Sequence, residues 1–210
     1  MPIPPVPFVP EEHHGKPSLV LMFVYAGDPG AGQAAIAPFR ALAAPFGEAA
    51  IPMPYAGIYE FTAEGGTRHP STARSLFMDT LDDEAVDAIV EALREAPPGS
   101  MVQLRILGGA MGRVAAADTA FAHRGSSVLV AIINAFVEPE LVEAATAWNR
   151  SLFTALEPKA TGVYANFLED EGDERIRVAY PGDTYDRLAR IKRRYDPANV
   201  FHRNQNIRPG

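Results

Sequence analysis

The sequence predicts an α+β domain: a largely antiparallel sheet covered on one face by helices, with an ordered C-terminal tail. Three observations carry that expectation. Short apolar runs, "SLVLMFVYAGD", "RSLFMDTL" and "SVLVAIINAF", have the length and the β-branched or aromatic content of buried strands. Between them lie stretches with the 3.6-residue period of helices, clearest in "DDEAVDAIVEALREAPPG". The connections between single strands are long and collect the helices, which favours one helical layer laid over a sheet.

Each element has a local reason. Residues 1–17 form a proline-rich lead-in, expected to run extended because each ring fixes φ. The run 18–28 reads as a buried strand stopped at Gly27 and Asp28. "GAGQAAIAPFRALAAPF" then reads as a helix with Ile36, Phe39, Leu42 and Phe46 on one side and Pro38 near its first turn. From Ala49 to Pro70 the prolines and glycines predict mostly loop, with a short extended piece at "IYEF". A strand is expected over 74–81. In the helix that follows, Val86, Ile89, Val90 and Leu93 recur at i, i+3, i+4, i+7, acids crowd the start, and Pro97-Pro98-Gly99 ends it. "SMVQLRILGG" (100–109) alternates, which predicts a strand with one wet or ligand-facing side. After the strand 127–136, Pro139 opens a helix expected to bury Leu141, Trp148, Leu152 and Leu156. "ATGVYANFLED" (160–170) reads as a further strand, and "EDEGDE" as a solvated turn before "RIRVAY". The body thus spans 18–180, and 181–210 holds a last helix, "DTYDRLARIKRRY", and the tail.

Composition narrows the function. Of the 210 residues, 47% are hydrophobic and 21% charged, and the net charge is -7. That balance argues against general nucleic-acid binding, which needs a basic face. The cluster Arg190, Lys192, Arg193 and Arg194 suits the C-terminal end of a helix instead. With no cysteine, disulfides, thiolate metal sites and cysteine nucleophiles are excluded. No run approaches the ~18 apolar residues of a membrane span, so a cytoplasmic protein with no membrane partner is expected.

The usual site motifs are missing: no GxGxxG opening a helix, no GxxxxGK[ST], no GxSxG. "GDPGAG" reads as a tight turn, since Asp28 would repel a phosphate. His13, His14, His69, His123 and His202 lack chelating spacing, so no metal is expected. What remains is aromatic and amide chemistry: Tyr55, Tyr164, Asn166, Phe167, Tyr180, Tyr185 and the amides at 204–206. A tyrosine at a strand position more often packs with its hydroxyl paired than serves as an acid or base.

The tail "YDPANVFHRNQNI" resembles the C-terminal signature of the berberine-bridge-enzyme-like FAD-linked oxidases of the vanillyl-alcohol-oxidase superfamily. "VQLRILGGAMGRV", "TAFAHRGSSVLV", "ATGVYANFLEDEGDERIRVAY" and "YDRLARIKRRYDP" fall in the order of that family's C-terminal half, so the likeness covers nearly the whole chain. It implies a substrate domain over the flavin and a tail returning to a separate FAD-binding domain. Asn204, Gln205 and Asn166 would then meet the cofactor, with Phe201 and Ile207 packing beneath. Gln103, Arg105 and Tyr55 would line the substrate pocket, and Tyr164 would be the remaining polar catalytic candidate. The family oxidises alcohols, sugars or alkaloid-like compounds by hydride transfer to flavin.

The departures are specific. "YANF" places Phe167 where many members carry a tyrosine base, and the position of an alternative glutamate falls near the apolar Val130. The FAD-binding domain is absent from these residues. Two functions follow as expectations. The chain is the substrate-binding portion of an FAD-dependent oxidoreductase, inactive without an FAD-binding domain or subunit in trans. Alternatively, it is a non-catalytic small-molecule binder or homodimer built from that domain, pairing through a free sheet edge.

Overall fold

The computed structural model describes residues 3, 5–61, 70–135 and 138–210. His69, the loop residues 62–69 and Phe136 at the end of the expected strand lie outside them. The chain divides into two compact units, Met1–His69 and Pro70–Gly210.

In the first unit, the proline-rich lead-in does not stay extended. A 3-10 turn at Glu11–His13 reverses it, and Ile3 N–H to Lys16 O and Gly15 N–H to Ile3 O close a loop over buried Ile3 and Val9. Helix α1 runs Pro29–Arg40. Asp28 caps it by accepting from Ala31 N at 2.9 Å, which sets Pro29 at the first helical position. Pro38 therefore falls in the last turn rather than the first, and Leu42 and Phe46 lie past the helix end. The expected strand at 18–28 is not formed: Leu19 to Tyr25 carry no ladder and stand exposed. An apolar run reports burial potential, and without a neighbouring strand its backbone has nothing to pair with. "IYEF" belongs to a 3-10 helix, Tyr55–Phe61, not an extended piece.

The second unit carries the sheet. Strands β1 (Ser71–Met78), β2 (Ser100–Ile106) and β3 (Val128–Ala135) lie in the order β1-β3-β2, with β3 antiparallel to both. Helix α2 (Asp83–Arg94) joins β1 to β2, a split βαβ unit closed by the central strand. The short α3 (Gly109–Gly112) lies in the long connection to β3, and α4 (Val142–Leu156) returns across the sheet. Two further helices follow, α5 (Asp173–Ala179) and α6 (Asp183–Tyr195). The fold is the α+β class expected, with an open antiparallel sheet of three strands.

Alternation divides the two faces of the sheet. Leu76, Met78, Val128, Val130 and Ile132 point to one face and pack against Ala85 and Ile89 of α2 and Leu152, Phe153 and Leu156 of α4. On α2 the inward stripe runs through Ala85, Ala88, Ile89, Ala92 and Leu93, while Val86 and Val90 stay exposed. The apolar stripe is therefore rotated from the expected one, because alanines allow the closest approach. Trp148 is half-buried and Leu152 and Leu156 fully so. "ATGVYANFLED" is not a strand: one bridge pairs Gly162 with Phe77, and Ala165–Phe167 then winds into a 3-10 turn. "RIRVAY" falls mostly in α5.

A buried polar chain fixes α4 on the sheet. Asn149 Nδ2 donates to Ile132 O at 2.9 Å and to Asn134 Oδ1 at 3.0 Å. Asn134 Nδ2 donates to Ser100 Oγ, which donates to Pro97 O. Gly99 ends the turn beside it at φ +78, where an added Cβ would sit 2.1 Å from Ala135 O. Replacing Asn149 with alanine leaves the Ile132 carbonyl and the Asn134 amide oxygen buried without their donor. Asn149→Ala is expected to lower stability by about 2–4 kcal/mol in urea denaturation; a loss under about 0.5 kcal/mol contradicts this account.

Candidate functional site

The sheet face away from α2 and α4 carries the chemistry. Two rows cross it: Phe77, Leu129 and Arg105, then Ser75, Ala131 and Gln103. Two segments fold over this face. One is the connection 107–127, braced by Arg124, whose guanidinium donates to Met111 O at 2.9 Å and Thr119 Oγ1 at 2.7 Å and lies 5.4 Å from the Phe121 ring centre. The other is 161–168. Phe77 N–H donates to Gly162 O, Thr161 N–H to Phe77 O, and Tyr164 N–H to Ser75 Oγ at 3.2 Å.

These attachments gather five rings. His123 lies flat against Phe77, centroids 4.6 Å apart. Phe121 and Tyr164 stand edge-on to Phe77, at 5.8 and 6.1 Å, and Phe167 lies 5.8 Å from Tyr164. Edge-to-face contacts of this kind suit the ring quadrupole. Asn166 Nδ2 donates to the Tyr164 hydroxyl at 2.8 Å. From β2, Arg105 reaches over the Phe167 ring at 5.1 Å and donates to Gln103 Oε1 at 2.8 Å. Gln103, Arg105, Tyr164 and Asn166 therefore share one surface. It presents an exposed guanidinium and amide beside half-buried rings, a combination suited to a hydroxyl-bearing substrate whose C–H faces stack on aromatics.

Other expected residues are placed differently. Gln205 Nε2 donates to Leu168 O, so this amide ties the tail to the site segment of its own chain. Asn204 is exposed. Among the described residues Phe201 packs beneath nothing: it is 79% exposed, while Ile207 is half-buried. Asp196 explains this arrangement. Its carboxylate accepts from Val200 N and Phe201 N, and a bond from Lys192 Nζ is the largest of the influences holding it below the usual carboxylate range. The turn that satisfies those amides leaves both side chains outside. Tyr55, 80% exposed, belongs to the first unit. Val130 points into the helix-covered core at 0% exposure; the site face at that level of β3 carries Leu129 and Ala131.

Sequence reasoning missed Phe77, Phe121 and His123. His123 is buried, and burial pushes its pKa down; the carbonyls of Ala179 and Val178 pull the other way, though Nε2 completes no hydrogen bond. Tyr180 is pushed up, first by burial and then by nearby Tyr164. The groove lined by Arg74, Arg150, Phe153, Glu171 and Arg175 lies on the helix side; the guanidinium groups of Arg74 and Arg175 are engaged with Glu171 and Glu157.

The flavin fit can be tested on these residues. Asn204 and Asn166 are exposed amides, able to hydrogen-bond the polar edge of an isoalloxazine ring. The glycine-rich start of α1 carries Asp28 and the start of α6 carries Asp183, which repel phosphates. The chain fits the ring side of an FAD site.

Comparison with known proteins agrees. Residues 163–208 match the family described as berberine and berberine like. Over 152 residues the chain is 32% identical to the FAD-linked oxidoreductase YgaK of Bacillus subtilis (strain 168), covering 71% of this chain and 34% of that one. It is 27% identical over 118 residues to chitooligosaccharide oxidase of Gibberella zeae, 51% of this chain and 24% of that one. Among solved structures, chitooligosaccharide oxidase superposes with a TM-score of 0.72 over 89% of this chain and 45% of its own, at 20% identity. Berberine bridge enzyme from Eschscholzia californica gives 0.61 over 69% and 34%, at 23% identity. At those identities the structures establish the fold. The chain spans about a third or less of the length of the curated relatives it matches. The fold is the one that these solved structures share. The chain belongs to the berberine-bridge-enzyme-like FAD-linked oxidases. Among the described residues, no helix is long and apolar enough to cross a membrane.

The depressed pKa of His123 has a definite sign. Below about pH 6.5 the unfolded chain takes up a proton that folded His123 resists, so its contribution is present above that pH and lost as pH falls. Urea midpoints measured from pH 7.5 to pH 5 are expected to fall, and less steeply in His123→Gln; equal slopes contradict the assignment.

Proposed function

We propose that this chain forms the substrate-facing part of an FAD-dependent oxidoreductase that takes hydride from a hydroxyl-bearing compound such as an alcohol or sugar. The observation that carries the reading is the convergence of Gln103, Arg105, Tyr164, Asn166 and Phe167 on the sheet face away from α2 and α4. FAD, when bound, accepts the hydride. The residues of this chain bind and orient. Phe167 and Tyr164 offer ring faces, Arg105 and Gln103 donate to substrate oxygens, and Tyr164, as its phenolate with Asn166 Nδ2 donating to that oxygen, would take up the hydroxyl proton and become the neutral phenol. Asn204, with Asn166, would meet the flavin ring. An FAD-binding domain or subunit would supply the phosphate site, and the cysteine-free composition fits a cytoplasmic setting.

A second reading rests on a separate observation. β2 is an edge strand, with Leu104 41% and Ile106 77% exposed, and the two family base positions hold Phe167 and buried Val130. A homodimer paired along β2, or a binder without redox activity, fits those features.

The test is a titration of the chain with FAD, read by flavin fluorescence and absorbance. Saturable binding weakened at least about fivefold by Asn204→Ala or Asn166→Ala is expected, the loss of one contact of about 1 kcal/mol. Absence of binding, together with a dimer in sedimentation, favours the second reading.

A further inference from the structure

We propose that His123 is a positioning residue: its imidazole is the plate against which residues 161–167 seat, and it decides where the Tyr164–Asn166 pair stands over the sheet. Its relevance to catalysis rests on the oxidoreductase reading above; the positional role does not.

Three observations converge on that ring. His123 is 7% exposed and lies nearly parallel to Phe77, with 21° between the planes. Gly162 has no side chain where the imidazole lies: an added Cβ would fall 1.9 Å from Cε1 and 2.5 Å from Nδ1. Such a clash is relieved cheaply only by a mobile side chain, and the stack on Phe77 removes that freedom. Gly162 is itself tied by its backbone to Phe77, the residue that carries the stack. Imidazole, Phe77 ring and Gly162 backbone therefore form one contact set, and none can shift without the others.

From this set the position of the site follows within two residues. Thr161 Oγ1 is bonded to Ser126 Oγ at 2.9 Å, and the Tyr164 amide to Ser75 Oγ. Between these two ties the seat of Gly162 on His123 sets how far the segment stands from the strand. Tyr164 follows at 6.1 Å from Phe77 and 6.2 Å from Phe121, with Asn166 on its hydroxyl. A histidine that only filled the core would loosen both faces of the sheet when removed. A positioning histidine moves Tyr164 and leaves the helix-covered face as it was.

The experiment is a four-corner cycle in the full chain: wild type, His123→Ala, Gly162→Ala and the double variant, each read by NMR. The reporters are the Tyr164 ring protons, displaced by the ring currents of Phe77 and Phe121, and the exchange protection of the Thr161 and Tyr164 amides. Amides of Val130 and Ile132, β3 residues whose side chains face α2 and α4, serve as the control.

In the wild-type background Gly162→Ala is expected to move the Tyr164 signals toward free tyrosine and to cut protection at Thr161 and Tyr164 about tenfold, with β3 unchanged. In the His123→Ala background the same change is expected to do little, because the space is vacant. Equal effects in both backgrounds, or loss spread evenly to β3, overturn the proposal. Should Gly162→Ala yield no folded protein, recovery of folding in the double variant supports it. His123→Ala alone then also decides, since unchanged Tyr164 signals in that variant overturn it. No flavin enters these measurements, so their result stands apart from that of the FAD titration.

Discussion

The site depends on one short pairing, the reciprocal backbone bonds between Phe77 and residues 161–162. Strand β1 is an edge strand of the three-stranded sheet, and an edge offers unpaired amides and carbonyls to whatever arrives. Here the arriving segment pairs for a single bridge, then turns into 3-10 geometry at Ala165–Phe167. A longer ladder would have sent successive side chains to alternate faces. Because it stops, Tyr164, Asn166 and Phe167 stay grouped beside the strand instead of being distributed along it.

The two faces of the sheet divide the work. On one, α2 and α4 supply apolar volume, and the Asn149–Asn134–Ser100 chain holds α4 in register with β3. On the other, neither α2 nor α4 intervenes; the connecting segments carry rings and amides, and side chains such as Arg105 stay open to solvent. This separation lets the exposed face change its polar groups without altering the packing that stabilises the unit.

Much of the second unit was legible in the sequence. β1, β3, α2, α4 and α6 each have a local cause, whether period, cap or stop signal, and these act over a few residues. The failures share a different cause. Leu19 to Tyr25 look like a strand by composition, but a strand exists only where a partner supplies hydrogen bonds, and that is a property of the whole chain. The stretch from Val163 to Leu168 mixes apolar and polar residues in a way that a strand and a 3-10 turn satisfy equally. Tyr164 and Asn166 could be singled out because the tail and "YANF" carry a family pattern. His123 could not, since its meaning lies in Gly162, 39 positions away, and in the absence of a side chain there.

The single tryptophan adds a practical asymmetry to this layout. Trp148 sits in the seam between α2 and α4, its indole nitrogen donating to Ala92 O at 2.8 Å. Intrinsic emission from this chain therefore reports on the helical layer, with the whole thickness of the sheet between the fluorophore and Tyr164. A chromophore docking against the ring-lined face would dim that emission through space, by energy transfer, without touching the indole. Unfolding of the helix pair would instead change its colour. The two events are separable in one spectrum, and the fold itself provides the optical gauge.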